Sequence, residues 1–193
     1  MAGVRLFTAV ELSEDSREIL RGLLLKAAAY SKDVKWAQPQ QLHVTLAFLG
    51  EQPEERISPM VQSLRRLGRS LKSFEMELGG MGAFPNLNRP KVLFVPVTVG
   101  MGKMSQLAGS ICSEAHALGM SLESRDYHAH ATLGRVRKYG TPGPAAQWLQ
   151  GACPARMKPQ LVDRFALIQS HLTSKGADYQ TLAEFPLEAQ GNP

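Results

Sequence analysis

Hydrophobic and polar positions along the chain fall into two rhythms, and together they predict an order of strands and helices. From Val4 to Val10 the side chains alternate, Val4, Leu6, Thr8 and Val10 against Arg5, Phe7 and Ala9, which is the period of a strand. Ser13 is placed to cap a helix that begins with Glu14 and Asp15, and Ile19, Leu20, Leu23, Leu24 and Ala27 make one helical stripe. Leu42 to Leu49 is again a strand, with Leu42, Val44, Leu46 and Phe48 as its apolar face and Gly50 closing it. A second helix is expected with Ser58 as cap and Pro59 at its first position, followed by a strand over Ser73 to Leu78. A glycine-rich loop then leads to a strand over Lys91 to Val99, where Pro96 argues for an edge or a bulge. Met104, Leu107, Ala108, Ile111, Ala115 and Leu118 form another helical stripe, ended by Gly119. Met120 to Glu123 reads as a short strand and Tyr127 to Val136 as a longer one. Prolines and glycines between Lys138 and Pro159 predict a long loop with one helical turn. Leu161 to Leu172 and Ala177 to Leu187 predict a hairpin turned by Ser174, Lys175 and Gly176. Strands and helices alternate without a regular parallel crossover pattern, so the class is α+β.

Two of these strands carry the same phrase. His43-Val44-Thr45-Leu46 and His130-Ala131-Thr132-Leu133 both read His-x-Thr-Leu. A strand turns residues i and i+2 to one face, so each phrase offers an imidazole and a hydroxyl side by side. His130 lies 87 positions after His43, and the same offset aligns Leu6, Phe7 and Val10 with Leu93, Phe94 and Val97. It also sets Leu20, Leu24 and Ala28 on Leu107, Ile111 and Ala115. We therefore expect one bilobal domain over residues 1–193 with an internal pseudo-repeat, 4–50 and 91–137. In a pseudo-two-fold arrangement, two antiparallel-rich sheets would flank a central cleft with helices outside.

Composition sets limits without choosing a function. The 44% hydrophobic and 20% charged content is ordinary for a globular chain. No apolar run approaches the ~18 residues of a membrane span, and the N-terminus lacks a signal-peptide layout. Cys112 and Cys153 lack metal-ligand spacing; they read as a helix core residue and a loop thiol, as expected of a cytoplasmic protein. A net charge of +5 leans only weakly toward an anionic partner.

A lone strand histidine is usually structural, but two equivalent His-x-Thr pairs suit acid–base chemistry on a phosphate. Opening a cyclic phosphodiester needs a base for water and an acid for the departing oxygen. Imidazoles titrate near neutrality, and threonine hydroxyls can donate to oxygens on which charge grows. A rival reading takes His128-Ala129-His130-Ala131-Thr132 as a histidine-triad hydrolase signature, but Thr132 stands where the third histidine belongs and His43 is left over. His128 and His130 as a metal pair lack further ligands in the sequence. Arg135 falls on the face opposite His130 by strict alternation, unless a twist or bulge at Gly134 turns it. Phe7 and Tyr127 are candidates for stacking a base, with burial as the commoner alternative.

Across nearly its whole length the chain resembles the RNA 2′,3′-cyclic phosphodiesterases, also called 2′-5′ RNA ligases, of the two-histidine phosphoesterase superfamily. The resemblance rests on Arg5-Leu6-Phe7-Thr8-Ala9, on Leu42 to Gly50, and on Gly82-Ala83-Phe84-Pro85 leading to Arg89-Pro90-Lys91-Val92-Leu93. It continues in His130 to Leu133 with Arg135, and in the closing Tyr179 to Pro186 segment. It implies hydrolysis of 2′,3′-cyclic phosphate ends to 2′-phosphates without metal or nucleotide cofactor, on RNA or a cyclic nucleotide, by a monomer away from membranes. His43 would match the general acid, His130 the base, Thr45 and Thr132 the phosphate-holding hydroxyls, and Arg135 a phosphate-contacting arginine; the acid and base labels are interchangeable. The same residues would serve 2′-5′ ligation, and a non-catalytic RNA-end-binding module is a further alternative. Where the family often has proline before the second histidine, this chain has Ala129.

Overall fold

A computed structural model describes residues 3–122, 126–138, 140–173 and 176–190. The described residues form strands β1 (Val4–Glu11), β2 (Val34–Trp36), β3 (His43–Gln52), β4 (Phe74–Leu78), β5 (Gly82–Phe84), β6 (Val92–Val99), β7 (His130–Val136), β8 (Gln160–Val162), β9 (Arg164–Thr173) and β10 (Gly176–Pro186). Between them lie helices α1 (Glu14–Ala27), α2 (Ile57–Ser70), α3 (Met101–Ala117) and α4 (Pro144–Ala152). The strands run in the order β10-β9-β1-β3-β7-β6-β4-β8, with β2 added on β7 and β5 on β6. All of the ladders between them are antiparallel, as α+β folds allow.

The two lobes are related by a pseudo-two-fold axis between β3 and β7. β1 and β3 answer to β6 and β7, α1 to α3, and α2 to α4. Their sheets are not separate: a single residue pair, Val44 with Ala131, joins β3 to β7 and makes one curled sheet. Leu20, Leu24, Leu64, Met104, Leu107 and Ile111 from the helices pack on Val44, Leu46, Leu93, Val95 and Leu133 in one core. A second, small cluster of Phe7, Ala9, Ala166 and Ile168 lies on the other face of β1 and β9.

Several elements differ from the sequence expectation, each for a local reason. α2 begins at Ile57 after a 3-10 turn over Glu54–Arg56, so Pro59 sits third in the helix. It is tolerated there because first-turn amides have no intrahelical acceptor. β6 is internal rather than an edge. Pro96 presents its carbonyl to the Gly79 amide in the gap where β5 has ended and β4 begins, so its missing N–H costs no ladder bond. The expected loop around Trp148 contains α4, started by Pro144 and held by buried Ala145, Ala146 and Leu149. Cys153 lies in the connection just after α4 as its C-cap and is buried: its Sγ meets the Gly80 carbonyl at 3.0 Å, and burial pushes the thiol up to about 11. The strand expected over Leu161 to Leu172 breaks at Asp163, with β8 pairing β4 in one lobe and β9 pairing β1 in the other. Met120 to Leu122 is not strand, and the second motif strand starts at His130 rather than Tyr127. Glu123 and the turn residues Ser174 and Lys175 lie outside the described residues.

Candidate active site

His43 and His130 are the first residues of β3 and β7, the two central strands. Because Val44 and Ala131 are paired and antiparallel, the register sets His43 beside Thr132 and Thr45 beside His130. All four project from the face opposite the buried Val44 and Ala131, and each is half-buried.

The imidazoles are held alike. His43 Nδ1 meets the Gln41 carbonyl at 2.6 Å, and His130 Nδ1 meets the His128 carbonyl at 2.5 Å. A carbonyl only accepts, so both Nδ1 atoms carry hydrogen and both Nε2 atoms are left to do chemistry. His43 Nε2 accepts from the Thr45 hydroxyl at 3.1 Å. Burial drives both histidines below the ordinary imidazole pKa, partly countered by those carbonyls. The charge of His130 lowers His43 further, and Arg135 and His128 do the same to His130. Desolvation and like charge thus favour neutral rings in the free protein.

Each ring also sits in an aromatic clamp. Phe7 lies 5.1 Å and Tyr179 5.6 Å from His43, while Phe94 lies 4.8 Å and Phe84 5.2 Å from His130, between ring centroids. Phe7 is only 4% exposed, so it has no face free for a base and serves instead as a wall for His43. Tyr127 is likewise a tie rather than a platform: it packs on the core, its hydroxyl donates to the Thr45 carbonyl at 3.2 Å, and burial pushes its phenol up.

Bulges decide what else faces the site. In β7 the partners step from Thr132 to Gly134 while β6 advances one residue, so Leu133 is the extra residue. The parity of the strand flips there, and Arg135 joins His130 and Thr132 on one face. Its charge is felt by both His130 and Tyr179, on opposite sides of the site. In β3 the extra residues are Leu46 and Leu49, so Phe48 leaves the apolar face where simple alternation put it. It stands 60% exposed on the face of His43 and Thr45, 6.2 Å from Phe7.

Phe94 and Phe48 were within reach of the sequence, because the 87-residue offset maps Phe7 on Phe94 and Phe48 on Arg135. Phe84 and Tyr179 belong to segments that carry the family resemblance, but nothing in the sequence placed them beside the histidines, which they reach from β5 and β10 through sheet pairing. Ala129 stands where the family often has proline, and its carbonyl accepts the Val97 amide at 2.9 Å, which ties the approach to His130 onto β6. His128 packs near Phe84 at 5.8 Å, and among the described residues no third histidine, cysteine or carboxylate gathers with it and His130. A groove of about 580 Å³ between the start of α1 and β8 contains none of these residues.

Paired His-x-Thr strands on a curled, duplicated sheet define a two-histidine phosphoesterase. Residues 10–94 match the model of the LigT-like phosphoesterases. An RNA 2′,3′-cyclic phosphodiesterase of Archaeoglobus fulgidus is 32% identical over 182 residues, covering 94% of this chain and 99% of its own. One of Thermus thermophilus is 32% identical over 198 residues, covering 97% and 92%. The crystal structure of TT0787 of Thermus thermophilus superimposes with a TM-score of 0.82 at 30% identity, over 97% of this chain and all of that one. The chain belongs to the LigT-like phosphoesterase family.

Proposed function

We propose that the protein hydrolyses the 2′,3′-cyclic phosphate end of RNA to a 2′-phosphate, with His43 as general acid and His130 as general base. Residues 1–193 act as one bilobal unit, and the halves 4–50 and 91–137 each contribute one histidine. The observation that carries the reading is the matched pair of imidazoles, Nδ1 anchored and Nε2 turned to a shared face on adjacent central strands. Similarity to named RNA 2′,3′-cyclic phosphodiesterases along nearly the full chain supports the choice of substrate.

His130 Nε2 takes a proton from water as the water oxygen bonds to phosphorus. The bond from phosphorus to the 3′ oxygen breaks, and that oxygen takes the proton from His43 Nε2. The products are a 2′-phosphate and a 3′-hydroxyl, with His43 neutral and His130 charged; exchange with solvent resets the pair. The bound anion raises His43 from its lowered value and so charges the acid only when substrate is present. Thr45 and Thr132 donate to the non-bridging oxygens, and Thr45 gives up its bond to His43 to do so. Arg135 balances the growing charge, and Phe48 offers the exposed ring on which the terminal base stacks. The imidazoles supply both proton transfers, so no step calls on a metal.

Incubation of a short RNA ending in a 2′,3′-cyclic phosphate, with the product phosphate located by phosphorus NMR, tests the proposal. A 2′-phosphate is expected. A 3′-phosphate would reverse the assignment of the leaving oxygen, and an unchanged end would remove the hydrolase reading.

A further inference from the structure

The face that carries His130, Thr132 and Arg135 does not end at Arg135. β2 adds to the far part of β7 with Lys35 opposite Arg135, Val34 opposite Val136 and Trp36 opposite Gly134. Cross-strand partners share a face, so Lys35 stands beside Arg135 while Val34 is buried on the other side. Arg137 follows Arg135 by two residues, continues the ladder through its amide to the Asp33 carbonyl at 2.7 Å, and is exposed.

Lys35 and Arg137 line a recess of about 290 Å³ together with Val34, Trp36, Gln38, Gln41 and Ala177. Gln41 joins this recess to the catalytic pair. Its carbonyl holds His43 Nδ1, and its side-chain amide donates to the Ala177 carbonyl at 2.7 Å, tying the start of β10 in place. Some exposed cations of the protein pair with acids, as in Arg21 with Glu18, Lys158 with Asp15, and Arg164 with Asp163 and Glu184. Among the described residues neither Lys35, Arg135 nor Arg137 makes an ion pair. Asp33, whose carbonyl accepts the Arg137 amide, turns a carboxylate oxygen to the Thr141 amide at 3.2 Å. Arg137 Nε is fixed on the Lys32 carbonyl at 3.3 Å.

We propose that Lys35 and Arg137 bind the phosphodiester immediately upstream of the cyclic end, so that the protein is built for an oligonucleotide rather than a cyclic mononucleotide. This rests on the phosphodiesterase reading above. Single-stranded nucleic acid is followed by a run of cations along its backbone, and here Arg135, Lys35 and Arg137 supply one on a single face. A nucleoside 2′,3′-cyclic phosphate has no charge to place there; a dinucleotide ending in the cyclic phosphate has one.

The test compares kcat/KM on a cyclic-ended dinucleotide and on the matching cyclic mononucleotide, for the wild type and for Lys35→Gln/Arg137→Gln. The preference for the dinucleotide is expected to shrink about fivefold or more in the double variant, as loss of two exposed charge contacts implies. Its salt dependence should become shallower, by up to ~0.7 in the log–log slope for the single phosphate that both side chains contact. Equal loss on both substrates, or no loss on either, would overturn the proposal. Fluorescence anisotropy with a short RNA ending in a 2′-phosphate separates this from the hydrolase reading. Binding weakened by the double variant, in a protein that turns over neither substrate, would keep the upstream site and discard the reaction. Binding untouched by the double variant would discard the site.

Discussion

Gly134 is the position where a single methyl group should disturb both stability and the site. A Cβ there would lie 2.6 Å from Val34 Cγ1, 3.0 Å from the Trp36 ring and 3.2 Å from the Lys35 carbonyl. None of these atoms can yield cheaply. Val34 is buried, Trp36 is held through its indole N–H on the Ser31 carbonyl, and the third contact is backbone. β2 must therefore shift off β7. Such overpacking costs ~1–3 kcal/mol. Replacing glycine also stiffens the unfolded chain, which offsets ~0.4–1 kcal/mol. The tight contact with Val34 and the approach to backbone put the cost in the upper half of that range, so the net loss for Gly134→Ala is ~1–2.6 kcal/mol and Tm falls by ~2–10 °C. The matched control is Gly109→Ala in the middle of α3, where an added Cβ meets nothing within 4 Å. There the helix gains ~0.5–1 kcal/mol and Tm should rise. Thermal unfolding followed by circular dichroism compares the two, and kcat/KM on cyclic-ended RNA should fall only for Gly134→Ala, because β2 carries Lys35 and the bulge beside Gly134 sets Arg135. A Gly134→Ala protein melting at or above the wild type, with turnover intact, would refute this reasoning.

Four further outcomes are expected. Both histidines are lowered, and the active form has one protonated and one neutral ring; the alkaline limb of kcat/KM should lie below the ordinary imidazole value of ~6.5. Arg135 is one of the charges lowering His130, so Arg135→Gln should move the profile to higher pH, and a shift to lower pH would contradict its placement. Phe48→Ala should weaken RNA turnover without lowering Tm, since its ring is largely exposed; retained turnover at low substrate would dismiss the stacking role. Tyr127→Phe removes the bond to the Thr45 carbonyl and should cost ~0.5–1.5 kcal/mol in urea unfolding, together with some kcat.

The candidate histidine pair was legible because alternation and a repeated His-x-Thr-Leu phrase can both be read directly from the chain. His43, Thr45, His130 and Thr132 needed only alternation and the 87-residue offset to be placed on one face. What alternation hides is a bulge. The extra residues at Leu46 and Leu133 reverse the parity of both strands, which buried Ala47 and Gly134, exposed Phe48 and brought Arg135 round to the site. Tertiary contact hid the remainder. Tyr179 and Phe84 reach the histidines from strands distant in the chain, and β2 is too short for a pattern of its own, being three residues stabilised by β7. α4 was obscured by its flanking prolines, one of which starts the helix instead of preventing it.

The most direct test of the paired-histidine mechanism is turnover of a short cyclic-ended RNA by His43→Ala and by His130→Ala, each confirmed to be folded. Loss of an acid or base from a proton-transfer pair should cut kcat by roughly a hundredfold or more in each variant. Near-normal turnover by either one would contradict a shared acid–base site.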